Sequence, residues 1–142
     1  MDCTGMHHVG LWVDDIDGMI KFLTEVMGFR LLTRSPRGAV GAGERVFIEM
    51  SKNQLIEILS EPEVQPRPDF PLHPVGHIAG VPHLCFQVMD LGAWRLRLAD
   101  LGYSVSNLVP KEGYMSSELG PVHLAFFEGP SGVGIELIEF EN

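Results

Sequence analysis

Two histidines and two glutamates occupy matching places in the two halves of this 142-residue chain: His8 and Glu57, then His83 and Glu136. Imidazole nitrogen and carboxylate oxygen suit borderline and harder divalent ions. Such a set fits Zn, Ni, Co, Mn or Fe(II) and leaves room for exchangeable water. The two glutamates sit in "QLIEILS" (54–60) and "GIELIEF" (134–140), stretches otherwise rich in Ile and Leu. A carboxylate there is costly to desolvate unless a cation or a hydrogen-bond donor compensates it. Any one His or Glu in a strand carries little weight, because such residues are usually solvated or satisfied locally. The weight comes from recurrence.

The recurrence extends to the elements that must position these side chains. Setting His8 against His83 lays "HVGLWVDDIDGMIKFLTEVMGFRL" on "HLCFQVMDLGAWRLRLADLGYSV" once one residue is dropped before the glycine. Each copy begins with His, alternates to Val13 or Val88, reaches an acid at Asp15 or Asp90 and continues at helical spacing. Each then breaks at Gly28-Phe29 or Gly102-Tyr103. Ile16, Met19, Ile20 and Leu23 form the apolar stripe of the first helix; Leu91, Trp94, Leu98 and Leu101 form that of the second. Asp15 is suited to cap the first helix and Gly28 to end it.

Strands are expected after each helix: 29–34, 45–50 and 54–59 in the first half, then 104–109, 122–127 and 134–140 in the second. "SKN" (51–53) and "EGPSGVG" (128–134) supply the turn residues between the last two strands of each half. The pattern predicts an α+β fold of two paired βαβββ modules that form a curved, cupped mixed sheet. The first module spans 1–60 and the second 81–142. They are separated at 61–80 by a linker with five prolines and three acids.

Alternation assigns faces. Val9, Leu11 and Val13 share the side toward the helix, leaving His8, Gly10 and Trp12 opposite; Leu84, Phe86 and Val88 leave His83, Cys85 and Gln87 opposite. Glu57 falls opposite Ile56 and Ile58, and Glu136 opposite Ile135 and Leu137. All four ligand-type residues are therefore expected on the concave side, with His7 turned away. His73, His77, His123, Glu49 and Glu139 lack a duplicated counterpart. Arg34, Arg37, Arg45 and Lys111 are candidates to hold a substrate carboxylate or phosphate, and Trp12, Tyr114 and Met115 to wall or close a pocket.

Composition narrows the partners. A net charge of −9 disfavours nucleic acid and anionic membranes, which need a basic face. Cys3 and Cys85 form neither a disulfide framework nor a Cys-X-X-Cys motif. The N-terminal stretch lacks a signal-peptide pattern and no apolar run approaches membrane length, so a cytoplasmic location is expected.

In "HHVGLWVDDIDGMIKFLTEVMGFRLL", "PHLCFQVMDLGAWRLRLADLGY" and "LAFFEGPSGVGIELIEF" the chain resembles the vicinal oxygen chelate superfamily, covering glyoxalase I, methylmalonyl-CoA epimerase, extradiol dioxygenases, fosfomycin-resistance and bleomycin-binding proteins. The resemblance implies a metal at His8, Glu57, His83 and Glu136. Dioxygenases and fosfomycin-type transferases typically leave the Glu57 position without a ligand, so a second carboxylate is similar to glyoxalase I and the epimerases. One departure is "GPSG" (129–132) where the family commonly has a "DPDG"-like turn.

The resulting expectation is a lyase or isomerase that abstracts a proton next to a metal-bound carbonyl and passes through an enediolate. Glu57 and Glu136 are its catalytic carboxylates. The substrate is a small molecule with a carbonyl or vicinal oxygens, and the assembly a homodimer. Two alternatives stand beside it: an extradiol dioxygenase or fosfomycin-type thiol transferase, and a metal-free small-molecule-binding protein.

Overall fold

A computed structural model describes residues 5–39, 41–65, 81–106 and 120–141. The chain divides into two compact units, Met1–Arg67 and Pro68–Asn142, and each is described by itself. The architecture is α+β, with a four-stranded sheet in the first unit and a three-stranded sheet in the second.

In the first unit β1 (His8–Trp12) leads into α1 (Ile16–Lys21), and β2 (Arg30–Pro36), β3 (Glu44–Ser51) and β4 (Gln54–Ser60) follow. The sheet order is β1-β4-β3-β2; β1 runs parallel to β4 and the other pairs are antiparallel. Asp15 caps α1 as expected, its Oδ1 accepting from the Gly18 N–H at 2.8 Å. Beyond Lys21 the helix widens into a π turn over Phe22–Val26. Phe22 and Leu23 are both fully buried there beside Met19, so the stripe read from the sequence lacked Phe22. These side chains pack on Val46, Ile48, Ile56 and Ile58, every one of them buried. Full burial of an apolar side chain of this size contributes about 1.5–3 kcal/mol.

In the second unit β5 (Leu84–Gln87) precedes α2 (Leu91–Asp100), β6 (Val122–Glu128) and β7 (Gly134–Phe140). The order is β5-β7-β6, again with one parallel pair, β5 with β7. Leu91 and Leu98 of α2 are buried against Ala125, Phe127, Ile135 and Leu137, whereas Leu101 is 52% exposed. The expected strand at 104–109 is not found at 104–106, although the Ser106 N–H donates to the Phe126 carbonyl at 2.7 Å. The remainder of that stretch lies outside the described residues.

Two connections show why their residues were chosen. The turn between β3 and β4 places Asn53 at φ 65°, a conformation Asn tolerates better than most residues. Gly43 has φ +119°, and a Cβ there would stand 1.9 Å from the Ser60 carbonyl oxygen. Only glycine lets the start of β3 lie against the end of β4. Among the described residues no helix is long and apolar enough to cross a membrane.

Candidate metal centre

Strand register builds one half-site in each unit. In the first, the parallel pairing of β1 with β4 sets Gly10 opposite Glu57, so His8 lies two residues back on the same face. His8 Nε2 is 3.5 Å from Glu57 Oε2. In the second, Cys85 is opposite Glu136, and His83 again lies two residues back. His83 Nε2 is 2.8 Å from Glu136 Oε2. Both carboxylate side chains are largely withdrawn from water, 15% exposed for Glu57 and 12% for Glu136.

A phenylalanine completes each pair. Phe47 is the antiparallel partner of Glu57, and Phe126 that of Glu136. Each ring meets its histidine edge to face, with centroids 6.1 Å apart for His8–Phe47 and 5.6 Å for His83–Phe126. The aromatic contact restricts the imidazole while the apolar ring keeps water from one side of the carboxylate. The two phenylalanines were not singled out in the sequence, yet each stands ten residues before its glutamate.

The half-sites differ in what else touches the carboxylate. Arg45 Nε lies 3.0 Å from Glu57 Oε1. Gly10 faces that carboxylate without a side chain; a Cβ there would be 3.6 Å from Glu57 Oε2. In the second unit Cys85 takes the place of Gly10. Partial burial of its sulfur, with the Glu136 charge and hydrogen bond beside it, pushes the thiol up to about 12. Cys85 thus stays a neutral thiol beside Glu136 at neutral pH, and its proximity was missed because cross-strand pairing was needed to see it.

The other candidates are placed elsewhere. His7 is not turned away from its neighbour, since His7 Nδ1 lies 2.9 Å from His8 Nδ1. Glu49 is held by Arg30, and Arg34 by both Asp17 and Glu44. Arg37 pairs with Glu61 and lies 4.7 Å over the Trp12 ring. Glu139 accepts from the backbone N–H groups of Asp90 and Leu91 at 2.9 and 3.0 Å, with His123 Nδ1 3.7 Å away. By strand parity His123 and Glu139 lie on the helix side, opposite Glu136. His73, His77, Lys111, Tyr114 and Met115 lie outside the described residues.

The donor chemistry fits a divalent ion: each half-site supplies one imidazole nitrogen and one shielded carboxylate. Among the described residues no group of three or more His, Cys, Asp or Glu side chains is gathered at one point. Each pair by itself offers two donors of the type a divalent ion takes.

A profile of the Glyoxalase/Bleomycin resistance protein/Dioxygenase superfamily matches residues 5–137. The chain belongs to this superfamily. A search of curated protein sequences gave no match. Solved structures share the superfamily's fold. Glyoxalase I of Leishmania major, described as trypanothione-dependent, is 21% identical with a TM-score of 0.70, covering 96% of this chain and 87% of that one. The fosfomycin resistance protein FosX of Listeria monocytogenes, solved with Mn(II) and sulfate, is 15% identical with a TM-score of 0.69, covering 99% and 95%. TnmS3, an antibiotic binding protein from a Streptomyces species, is 20% identical with a TM-score of 0.65, covering 99% of each chain. These neighbours in fold are a protein solved with Mn(II), a glyoxalase I and an antibiotic binding protein.

Proposed function

We propose that this chain is a divalent-metal-dependent lyase or isomerase of the glyoxalase type, acting on a small molecule with a carbonyl or vicinal oxygens. The observation that carries the reading is the doubled His–Glu–Phe arrangement, with its shielded carboxylates at His8–Glu57–Phe47 and His83–Glu136–Phe126. The proposal requires both pairs to serve one cation, within a chain or between two copies of a homodimer. Action in the cytoplasm belongs to the same proposal.

His8, Glu57, His83 and Glu136 would hold the divalent cation, which when bound would supply Lewis acidity toward a substrate carbonyl. The protein's own groups do the rest. Glu57 or Glu136 as carboxylate would take the proton from the carbon beside the carbonyl, and the opposite group, protonated beforehand, would return one, so that the two exchange protonation states over a turnover. Phe47 and Phe126 exclude water, which strengthens every electrostatic contact at the reacting carbon. Two proton-carrying groups of one chemical type suit a reaction that moves a proton between carbons or inverts one.

Two measurements test this. Purified protein should hold a divalent ion that His8→Ala and Glu136→Ala lose. Metal-loaded protein should wash deuterium from D₂O into the α-carbon of a 2-oxo hemithioacetal or an acyl thioester. A protein that holds no ion and gains no thermal stability from any divalent cation would support the second reading, a metal-free binding protein. That reading has one structural argument of its own, the Arg45–Glu57 ion pair, which already compensates one candidate ligand. A dioxygenase or thiol transferase on the same fold requires that Glu57→Gln leave metal affinity intact.

A further inference from the structure

Among the described residues of the first unit four arginines form ion pairs, and one differs from the rest. Arg30 is held by Glu49, Arg34 by Asp17 and Glu44, and Arg37 by Glu61. None of those carboxylates is a candidate ligand. Arg45 pairs with Glu57, the carboxylate that also faces His8. It reaches Glu57 because β3 and β4 set Phe47 opposite that residue, and Arg45, two positions back, shares its face.

We propose that Arg45 binds the substrate and selects one that carries an oxyanion, foremost a carboxylate, in addition to its chelating oxygens. The inference rests on the metal reading above. With a cation on Glu57, a guanidinium and a divalent ion meet across a single negative charge. That leaves a net positive pocket which an incoming anion neutralises. The Arg45 side chain is 47% exposed and meets Glu57 through Nε. A guanidinium presents five N–H donors in a planar fork matched to a carboxylate.

The charge is also one-sided. In the second unit the position two before Phe126 is Leu124, paired with Ile138, so the equivalent place on that sheet is apolar. The guanidinium beside a candidate ligand carboxylate is therefore a feature of the first unit.

The test uses Mn(II) and two hydroxamates. Acetohydroxamate offers vicinal oxygens alone, and succinic monohydroxamic acid adds a carboxylate. Mn(II) binding is read by the loss of its free-ion electron spin resonance signal, and hydroxamate binding to the Mn(II)-loaded protein by calorimetry. In the wild type the carboxylated probe should bind about tenfold tighter or more, as expected for a charge-assisted hydrogen bond. Arg45→Gln should bring the two probes within about twofold of each other while Mn(II) affinity holds or rises. Arg45→Lys should keep part of the preference, and Arg30→Gln all of it. Equal affinities in the wild type, or a preference that survives Arg45→Gln, would overturn the proposal while leaving the metal reading intact. Failure of the wild type to bind Mn(II) at all would overturn both.

Discussion

His83 Nε2 and Glu136 Oε2 stand 2.8 Å apart, closer than the 3.5 Å between His8 Nε2 and Glu57 Oε2. Glu57 is shared with Arg45, whereas Glu136 meets the neutral thiol of Cys85. On the proposed metal reading, a cation would compete with a guanidinium at Glu57 and not at Glu136. Glu136→Gln should therefore weaken Mn(II) or Zn(II) binding by about a hundredfold or more, and Glu57→Gln by about tenfold. Titration calorimetry on both variants checks the order, and equal losses would count against it.

Gly134 lets β7 start against the segment that carries His83. A Cβ at Gly134 would lie 2.8 Å from the Pro82 carbonyl oxygen and 3.2 Å from His83 Cβ. Backbone on one side and the ligand's own root on the other leave little room to yield. Gly134→Ala should cost about 1–3 kcal/mol and weaken metal binding by displacing His83. Gly10→Ala is the control. Its Cβ would meet Glu57 Oε2 at 3.6 Å, an ordinary contact, so both stability and metal affinity should stay near wild type. Urea denaturation and metal titration of the two variants distinguish them.

Glu139 serves the fold rather than the metal. Its two oxygens accept from consecutive N–H groups at the start of α2, where a negative charge is also favoured by the helix dipole. Glu139→Gln keeps one acceptor and loses the charge, so it should destabilise the protein by about 1–2 kcal/mol. Metal affinity should be unchanged, because Glu139 lies on the opposite sheet face from Glu136. A loss of metal with no loss of stability would reverse this assignment.

Acid sensitivity has one identifiable source. The hydrogen bonds from Arg34 hold the Glu44 carboxyl below its ordinary value. A lowered folded-state value means that the unfolded chain takes up the proton first as pH falls. The stabilisation is thus full above the ordinary glutamate value and disappears as pH drops through the lowered one. Glu44→Gln should flatten that part of the stability profile. Both side chains are more than a third exposed, so the change should stay below about 1 kcal/mol and shrink in high salt. Denaturation across the acid range at two salt concentrations checks it.

Strand β7 was read with its observed bounds, and the parity of His8, His83, Glu57 and Glu136 was legible as well. Both follow from the two-residue period of a strand, which any sequence with a buried face must respect. The repeat made the reading firmer, because two independent segments showed it. The helix cap at Asp15 was equally local, accepting from an N–H three residues on; Asp90 was read only as the matching acid, and the structure shows it capping α2 in the same way. Phe22 was left out of the stripe although it stands three residues after Met19, an ordinary helical step, and it is buried with Met19 and Leu23 where the helix passes into the π turn.

What the sequence by itself determined was which residues share a face, since that is a property of each strand alone. Only the tertiary structure decided which of those residues meet. Cross-strand register joins positions distant in the chain, and it brought Arg45 rather than Arg34 or Arg37 to Glu57, Phe47 to His8, and Cys85 to Glu136. Register depends on the summed packing of whole strands and on shifts such as the one between Glu49 and Ser51. No single stretch of the chain contains that information.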